Sequence, residues 1–341
     1  MEEARKKHIF GWDILRILLC FEVVCIHFWK PGTSRGGYWF FYNLQSFSVT
    51  TFFFLSFYLN KDFFLSIDRQ KMKSRMERLL VPYIVWAVVY YLVYWTADLV
   101  FDFPDKEYPV SQLFLQLLTG HRLNQAMWFL LDMIIITLVF GLIFLLTKKD
   151  IAVFLVALTG ILAVFLQYSG ITVRAFEDLI YEVKFPLGRL FEMLPYASAG
   201  FLLSYEEVFE KRSRIRMVPL LYMACIYLLF RFRLFKNIDG FGWPGIEGIA
   251  GAFLLVGLFR LIPDDLVPER GKAAAKKLGR ITLGVYCIHN MIGNILEELV
   301  GPRIGYDMNS FAGCILIFVL SIVCAALISL LPFPFAKKLV E

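Results

Sequence analysis

The sequence has no segment long enough for a soluble catalytic domain. Between its apolar runs no stretch exceeds about 25 residues, against 50 or more for an independent module. Any chemistry therefore belongs to the apolar runs and their edges. A G-x-S-x-G is missing, which leaves a serine-hydrolase reading without support. Neither a dinucleotide nor an ATP motif is present. Charge is scarce: Asp, Glu, Lys and Arg make up 19% of the 341 residues, while 59% are hydrophobic, 17% are aromatic and 35 are Phe. An ordinary soluble domain is about 45–50% apolar, so this is the composition of an integral membrane protein. The basic residues form no single patch, which excludes a nucleic-acid partner. The six cysteines (Cys20, Cys25, Cys225, Cys287, Cys314, Cys324) all fall inside apolar runs. None forms a C-x-x-C or has a His at ligand spacing, so they read as small buried hydrophobes, and no metal site is expected. The first apolar run is too long and too charged for a signal peptide, and no small-x-small cleavage site follows it.

What the chain does have is ten apolar runs long enough to span a bilayer, near 11–29, 38–60, 79–101, 124–147, 151–168, 186–205, 217–235, 246–262, 279–299 and 309–331. The connections alternate in character. Most of the 35 Lys and Arg lie in one set: Arg5 to Lys7; Lys61 and the cluster Arg69, Lys71, Lys73, Arg75, Arg78; Lys148 and Lys149; Lys211 to Arg216; Arg260 to Arg280; Lys337 and Lys338. The other set holds the turn-rich stretches KPGTSRGGYW, DFPDKEYP and NIDGFGWPG. By the positive-inside rule the basic set and both termini are cytoplasmic. The expectation is an all-α polytopic bundle of about ten transmembrane helices, forming one membrane-embedded domain over 1–341. No internal repeat is visible, which disfavours transporter folds built from inverted repeats.

The run 11–29, GWDILRILLCFEVVCIHFW, organises the rest. As a helix it is about 28 Å long, enough to cross the hydrocarbon core, yet it carries Asp13, Arg16, Glu22 and His27. Ionisable groups at that depth cost a few kcal/mol each and so face a bundle interior, a cavity or a substrate path. At 100° per residue, Arg16 and His27 fall about 20° apart around the helix and roughly 16 Å apart along it. Asp13 lies within about 60° of the same line and Glu22 points away.

Other spans carry polar groups too. Arg189 and Glu192, at i and i+3 in the sixth, read either as an ion pair or as an acceptor pocket. Asp132 in the fourth span carries the same ambiguity. His289 sits in the ninth, with Tyr286 and Asn290 beside it. Asn290, Asn294 and Glu297 form an i, i+4, i+7 stripe, either a hydrogen-bonding seam or a substrate-lining face. The basic segment KMKSRMERLLVPY brings Arg75 and Arg78 nearest the third span, where they set orientation, meet anionic lipid, or hold phosphate.

Four stretches resemble the acyltransferase 3 family: GWDILRILLCFEVVCIH, with its Arg16, ten residues, then His27; TTFFFLSFYLN (50–60); MWFLLDMIII (127–136); and LGRITLGVYCIHNMI (278–292). Phe57 stands where the second motif has Gly, Met127 where the third often has His, and Thr282 for Ser in the fourth. The resemblance covers roughly residues 10–330 and adds His289 to the site candidates through the fourth motif. It implies a multi-pass protein of a bacterial plasma membrane that takes an acyl group, usually acetyl, from cytoplasmic acyl-coenzyme A. The acyl group goes to a hydroxyl of a cell-surface or exported glycan or a lipid-linked sugar. It also implies that Arg16 and His27 are the residues on which activity depends.

An imidazole is the side chain best poised to activate a hydroxyl near neutral pH, and His27 is cast either as that base or as a covalent acyl carrier. Arg16 is cast as a holder of phosphate or thioester and as a stabiliser of the developing oxyanion. Arg75 and Arg78 are assigned to the nucleotide end of the donor, and His289, Asn290, Tyr286, Arg189 and Glu192 to the acceptor. The competing expectation is a carrier or permease that uses the same polar cavity without covalent change.

Overall fold

The computed structural model describes residues 8–29, 48–101, 108–169, 181–209, 217–231 and 245–341, and among these it is helical with no strand. The stretches 30–39, 102–107 and 237–244, the ends 38–47 and 232–235 of two expected spans, the loop 170–180, and Arg5 to Lys7 and Lys211 to Arg216 lie outside the described residues. The main helices are α1 (Phe10–Phe28), α2 (Ser48–Leu59), α3 (Lys61–Leu65), α4 (Arg69–Phe101), α5 (Val110–Thr119), α6 (Trp128–Leu146), α7 (Lys149–Ser169) and α8 (Tyr181–Tyr205). They continue as α9 (Met217–Arg231), α10 (Gly245–Arg260), α11 (Glu269–Arg280), α12 (Thr282–Ile295), α13 (Gly301–Ile304), α14 (Phe311–Ser329) and α15 (Pro334–Val340).

Helices occupy the described parts of all ten expected runs. Four qualify as membrane spans on length and composition alone: Arg69–Val100, Gln125–Leu146, Lys149–Gln167 and Phe311–Ser329. Helices α1 and α8 have the length, but one carries Asp13, Arg16 and Glu22 and the other Lys184, Arg189 and Glu192. Large apolar side chains point outward along α7, where Phe154, Ile161 and Phe165 are all more than 60% exposed, as a lipid-facing surface requires.

The structure differs from the expected loops in three places. Helix α4 begins at Arg69, well before the expected start at 79, because Lys, Arg, Met and Glu favour helix. Asp68 starts it by accepting the Lys71 N–H at 2.7 Å. Helix α5 fills part of a stretch read as loop. It ends on Gly120 in the left-handed region (φ 68°), where a Cβ would also lie 2.6 Å from the Trp128 Cα. Helix α11, polar outside and small-residued inside, fills another.

Contacts between helix ends gather most of the described basic residues at one end of the bundle. Gly279 of α11 meets Asp13 of α1, Lys338 of α15 pairs with Glu77 of α4 at 3.0 Å, Lys149 of α7 lies over the Tyr205 ring of α8, and the Arg260 guanidinium donates to the Phe209 carbonyl. At the other end Trp29 packs on Phe311 (5.0 Å), Asn294 donates to the Tyr94 hydroxyl (2.8 Å) and Asn309 to Glu297 (2.8 Å). The stripe of Asn290, Asn294 and Glu297 is thus a hydrogen-bonded seam.

Helix α1 lies at the centre, packed by α10, α11, α12 and α14. Glycine permits the approach: a Cβ at Gly11 would lie 1.8 Å from the Phe259 carbonyl oxygen of α10, and one at Gly293 of α12 would lie 2.0 Å from the Phe28 ring. Phe57, in place of a glycine, is accommodated in an aromatic cluster, stacked on Phe64 (5.7 Å) and edge-on to Phe140 (5.3 Å). Close packing of α2 comes instead from Gly200 of α8, where a Cβ would lie 2.1 Å from the Phe54 carbonyl oxygen.

Overpacking against backbone cannot be relieved by a rotamer change and costs about 1–3 kcal/mol. Gly11→Ala is expected to lower the melting temperature of the detergent-solubilised protein by several degrees. Gly188→Ala, where a Cβ meets nothing within 4 Å, should leave it unchanged or raise it. Equal melting of the two variants would refute this account of the α1–α10 contact.

Candidate functional site

At the basic end a cavity of about 300 Å³ is lined by Arg16, Arg75, Arg280, Ser56, Asn60 and Thr282, with an apolar depth that includes Leu79, Phe129 and Tyr286. Arg16 enters it already paired. Its guanidinium bonds Asp13, which is 1% exposed, and His8 Nε2 lies 2.8 Å from the second Asp13 oxygen. Arg75 is different. It is buried, its Nη2 donates to Ser56 Oγ at 3.1 Å and lies 3.9 Å from Met133 Sδ, and its Nε finds no acceptor. No carboxylate pairs with it among the described residues. A buried cation without a counter-ion is costly, and an anion in the adjoining cavity would complete it. Arg280 adds an exposed guanidinium at the end of α11. Arg78 is exposed and does not line this cavity.

A second cavity of about 190 Å³ lies further along α1, lined by His27, His121, Gln125, Trp128, Arg189 and Tyr286 among others. The Arg189 guanidinium bonds Glu192 at 2.7 Å and lies 5.3 Å from the centre of the Trp128 ring. The two readings of Arg189 and Glu192 meet here: they pair with each other, and Arg189 also forms wall. Burial, with the Arg189 and Arg122 guanidiniums nearby, holds the His121 imidazole below its usual range and so keeps it neutral. His27 is half-buried, and its ring nitrogens make no hydrogen bond among the described residues.

Tyr286 belongs to both cavities and forms the wall between them. Its hydroxyl donates to the Ala126 carbonyl, and its ring lies 5.1 Å from that of Phe129. That carbonyl is fixed by a loop tied down by two amides. Gln116 Oε1 accepts from the Leu123 and Asn124 N–H groups at 2.5 and 3.1 Å. Asn124 Oδ1 accepts from the Ala126 N–H at 2.9 Å and from Asn290 Nδ2 at 2.7 Å. Asn290 is thereby turned to the loop. His289, 1% exposed, lines neither cavity but stacks beside His27, ring centres 5.2 Å apart, with its Nδ1 2.6 Å from the Tyr286 carbonyl.

Of the residues singled out in the sequence, the structure brings Arg16, Arg75 and Tyr286 to one cavity and His27, Arg189 and Tyr286 to the other. Asn290 and His289 support these walls, Glu192 holds Arg189, and Arg78 stands apart. Sequence reasoning missed Arg280, Ser56, His121, Gln125 and the Gln116–Asn124 lock. Trp128 was present in the third quoted stretch without being noticed as wall. Met127, which stands where the third motif often has His, is fully buried. The imidazoles near His27 come from His121 and His289 instead. Asp132 is also fully buried, and both its carboxyl oxygens lack a hydrogen-bond partner among the described residues.

Comparison with known proteins adds one match: a family model described as an acyltransferase domain covers residues 9–330, nearly the whole chain and every residue of both cavities except Glu341. No curated protein and no solved structure gives a significant match.

The amide lock makes its own prediction. Asn124→Ala leaves the Asn290 amide and the Ala126 N–H buried without an acceptor. Stability should fall by about 2 kcal/mol, since an unsatisfied buried donor costs about 1–3 kcal/mol. Chemical denaturation in detergent measures it, and an unchanged midpoint would show that the loop is held by other means.

Proposed function

This chain belongs to the acyltransferase 3 family, and we propose that it transfers an acyl group, acetyl, from a cytoplasmic acyl-coenzyme A to a hydroxyl of a cell-surface or exported glycan. The observation that carries the proposal is the pair of cavities on α1, one walled by Arg16, Arg75 and Arg280 and the other by His27, with Tyr286 common to both. The positive-inside rule assigns the basic end to the cytoplasm of a bacterial plasma membrane. There the Arg75 guanidinium, lacking a carboxylate, takes the phosphates of the donor, with Arg280 at the rim. The apolar depth of the cavity receives the thioester arm. Trp128, Gln125 and Arg189 offer an aromatic face and polar groups to a sugar in the second cavity.

His27 acts as the base. It takes the proton of the acceptor hydroxyl as that oxygen attacks the thioester carbonyl carbon. The carbon–sulfur bond breaks, the thiolate leaves with coenzyme A, and the proton held by His27 neutralises it. The products are an ester and free coenzyme A.

Purified protein in nanodiscs, given labelled acetyl-coenzyme A and a cell-envelope glycan fraction, should release free coenzyme A and label the glycan. His27→Ala should abolish both. Arg75→Met should raise the KM for the donor about 10-fold or more, the scale for loss of one charge-assisted contact, whereas Arg78→Met should change it far less. Substrate accumulation in vesicles without thioester consumption would show a carrier instead.

A further inference from the structure

His289 is not used by the reaction as described, although it is among the most buried polar groups in the protein. Its Nδ1 lies 2.6 Å from the Tyr286 carbonyl one turn back on its own helix. A carbonyl only accepts, so Nδ1 carries the hydrogen and Nε2 carries the lone pair. Nε2 points away from the α12 backbone, and it has no hydrogen-bond partner among the described residues. The ring next to it is that of His27, with centres 5.2 Å apart and planes inclined by 47°. The two rings make no hydrogen bond as they stand, but at this separation a rotation of the His27 ring would bring one of its N–H groups to Nε2. The remaining ring neighbours of His289 are Phe28 at 6.4 Å and Tyr286 at 5.8 Å. The Gly293–Phe28 contact sets α12 at this distance from α1.

We infer that His289 is a positioning residue for His27: its Nε2 accepts the N–H of one His27 ring nitrogen, leaving the other nitrogen as the lone pair that faces the second cavity. The reasoning rests on the transferase reading above and deepens it. Which nitrogen of an imidazole acts as base is set by the bond the other makes. When His27 takes the acceptor proton it holds two N–H groups. One returns its proton to the departing thiolate and the other stays on His289. The second imidazole thus does for His27 what a buried carboxylate does in a hydrolase triad, without placing a negative charge in the bundle.

Two substitutions separate this role from a merely structural one. His289→Asn keeps a donor for the Tyr286 carbonyl and removes the acceptor at the Nε2 position. His289→Gln carries an amide oxygen out to that position. In nanodiscs, with labelled acetyl-coenzyme A and the envelope glycan as probes, kcat of His289→Asn should fall about 100-fold with both KM values unchanged, the upper end for groups that fix an imidazole. His289→Gln should recover at least 10-fold of that loss, with both variants melting alike. Equal activity of the two variants, or better activity of His289→Asn, would overturn the assignment while leaving the transferase reading intact. No thioester turnover in the unsubstituted protein would overturn both.

Discussion

The structure depends on keeping the charges of α1 out of lipid. Asp13, Arg16, Glu22 and His27 occur within one helix of 19 residues, and a helix so charged is stable in a bilayer only if other protein surrounds it. Four helices do so. Glycine at 11, 279 and 293 lets their backbones and rings approach where any side chain would collide. The same demand explains the order along α1. Asp13 neutralises Arg16 at one end, and at the other His27 is placed against His289 instead of a carboxylate. Arg16 and His27 thus line protein cavities, Asp13 and Glu22 are buried in the bundle, and apolar side chains on the outer helices meet the lipid.

Once α1 is enclosed, the two cavities follow from what closes around it. At the basic end the space is walled by Arg16, Arg75 and Arg280 at its polar side and by Leu79, Phe129 and Tyr286 in its apolar depth. Further along, Trp128, Gln125 and His121 cannot collapse onto His27, because the Gln116–Asn124 lock fixes the chain that bears them. Asn124 also reaches Asn290, so α12 and the start of α6 move as one piece. Tyr286 is on that piece. Its ring therefore has a defined place between the cavities.

Much of this was legible because helical periodicity is local information. The i, i+3 pairing of Arg189 with Glu192, the Asn290–Asn294–Glu297 seam and the shared face of Arg16 and His27 all follow from 100° per residue. What was not legible depends on how helices are rotated against each other. No spacing rule puts His289 beside His27, or tells that Arg75 faces a cavity while Arg78, one turn on, faces outward. The lock in the 116–124 region was invisible for a different reason: Gln and Asn in a short loop read as solvent-facing until their buried partners are known. Helix α11 was passed over because its lysines count as loop charge, while Ala275 and Gly279 on its inner face are too small to register as a core pattern.

On the reading proposed above, a wall between two substrates would be useful only if it yielded when a donor arrived, and the sizes of the interactions bear on whether it could. The Tyr286 ring is held by one O–H···O=C bond, worth about 0.5–1.5 kcal/mol net, and by an aromatic contact with Phe129 worth about as much. Together they come to roughly 1–3 kcal/mol. Micromolar binding of a polyanionic thioester corresponds to about 8 kcal/mol. On the reading proposed above, only the part of that free energy by which a donor favours the turned ring over the closed one could turn it, and that part would have to exceed the holding contacts. Thermal motion alone, at RT of about 0.6 kcal/mol, leaves it closed most of the time. On that reading the acyl carbonyl would meet His27 only behind a bound donor.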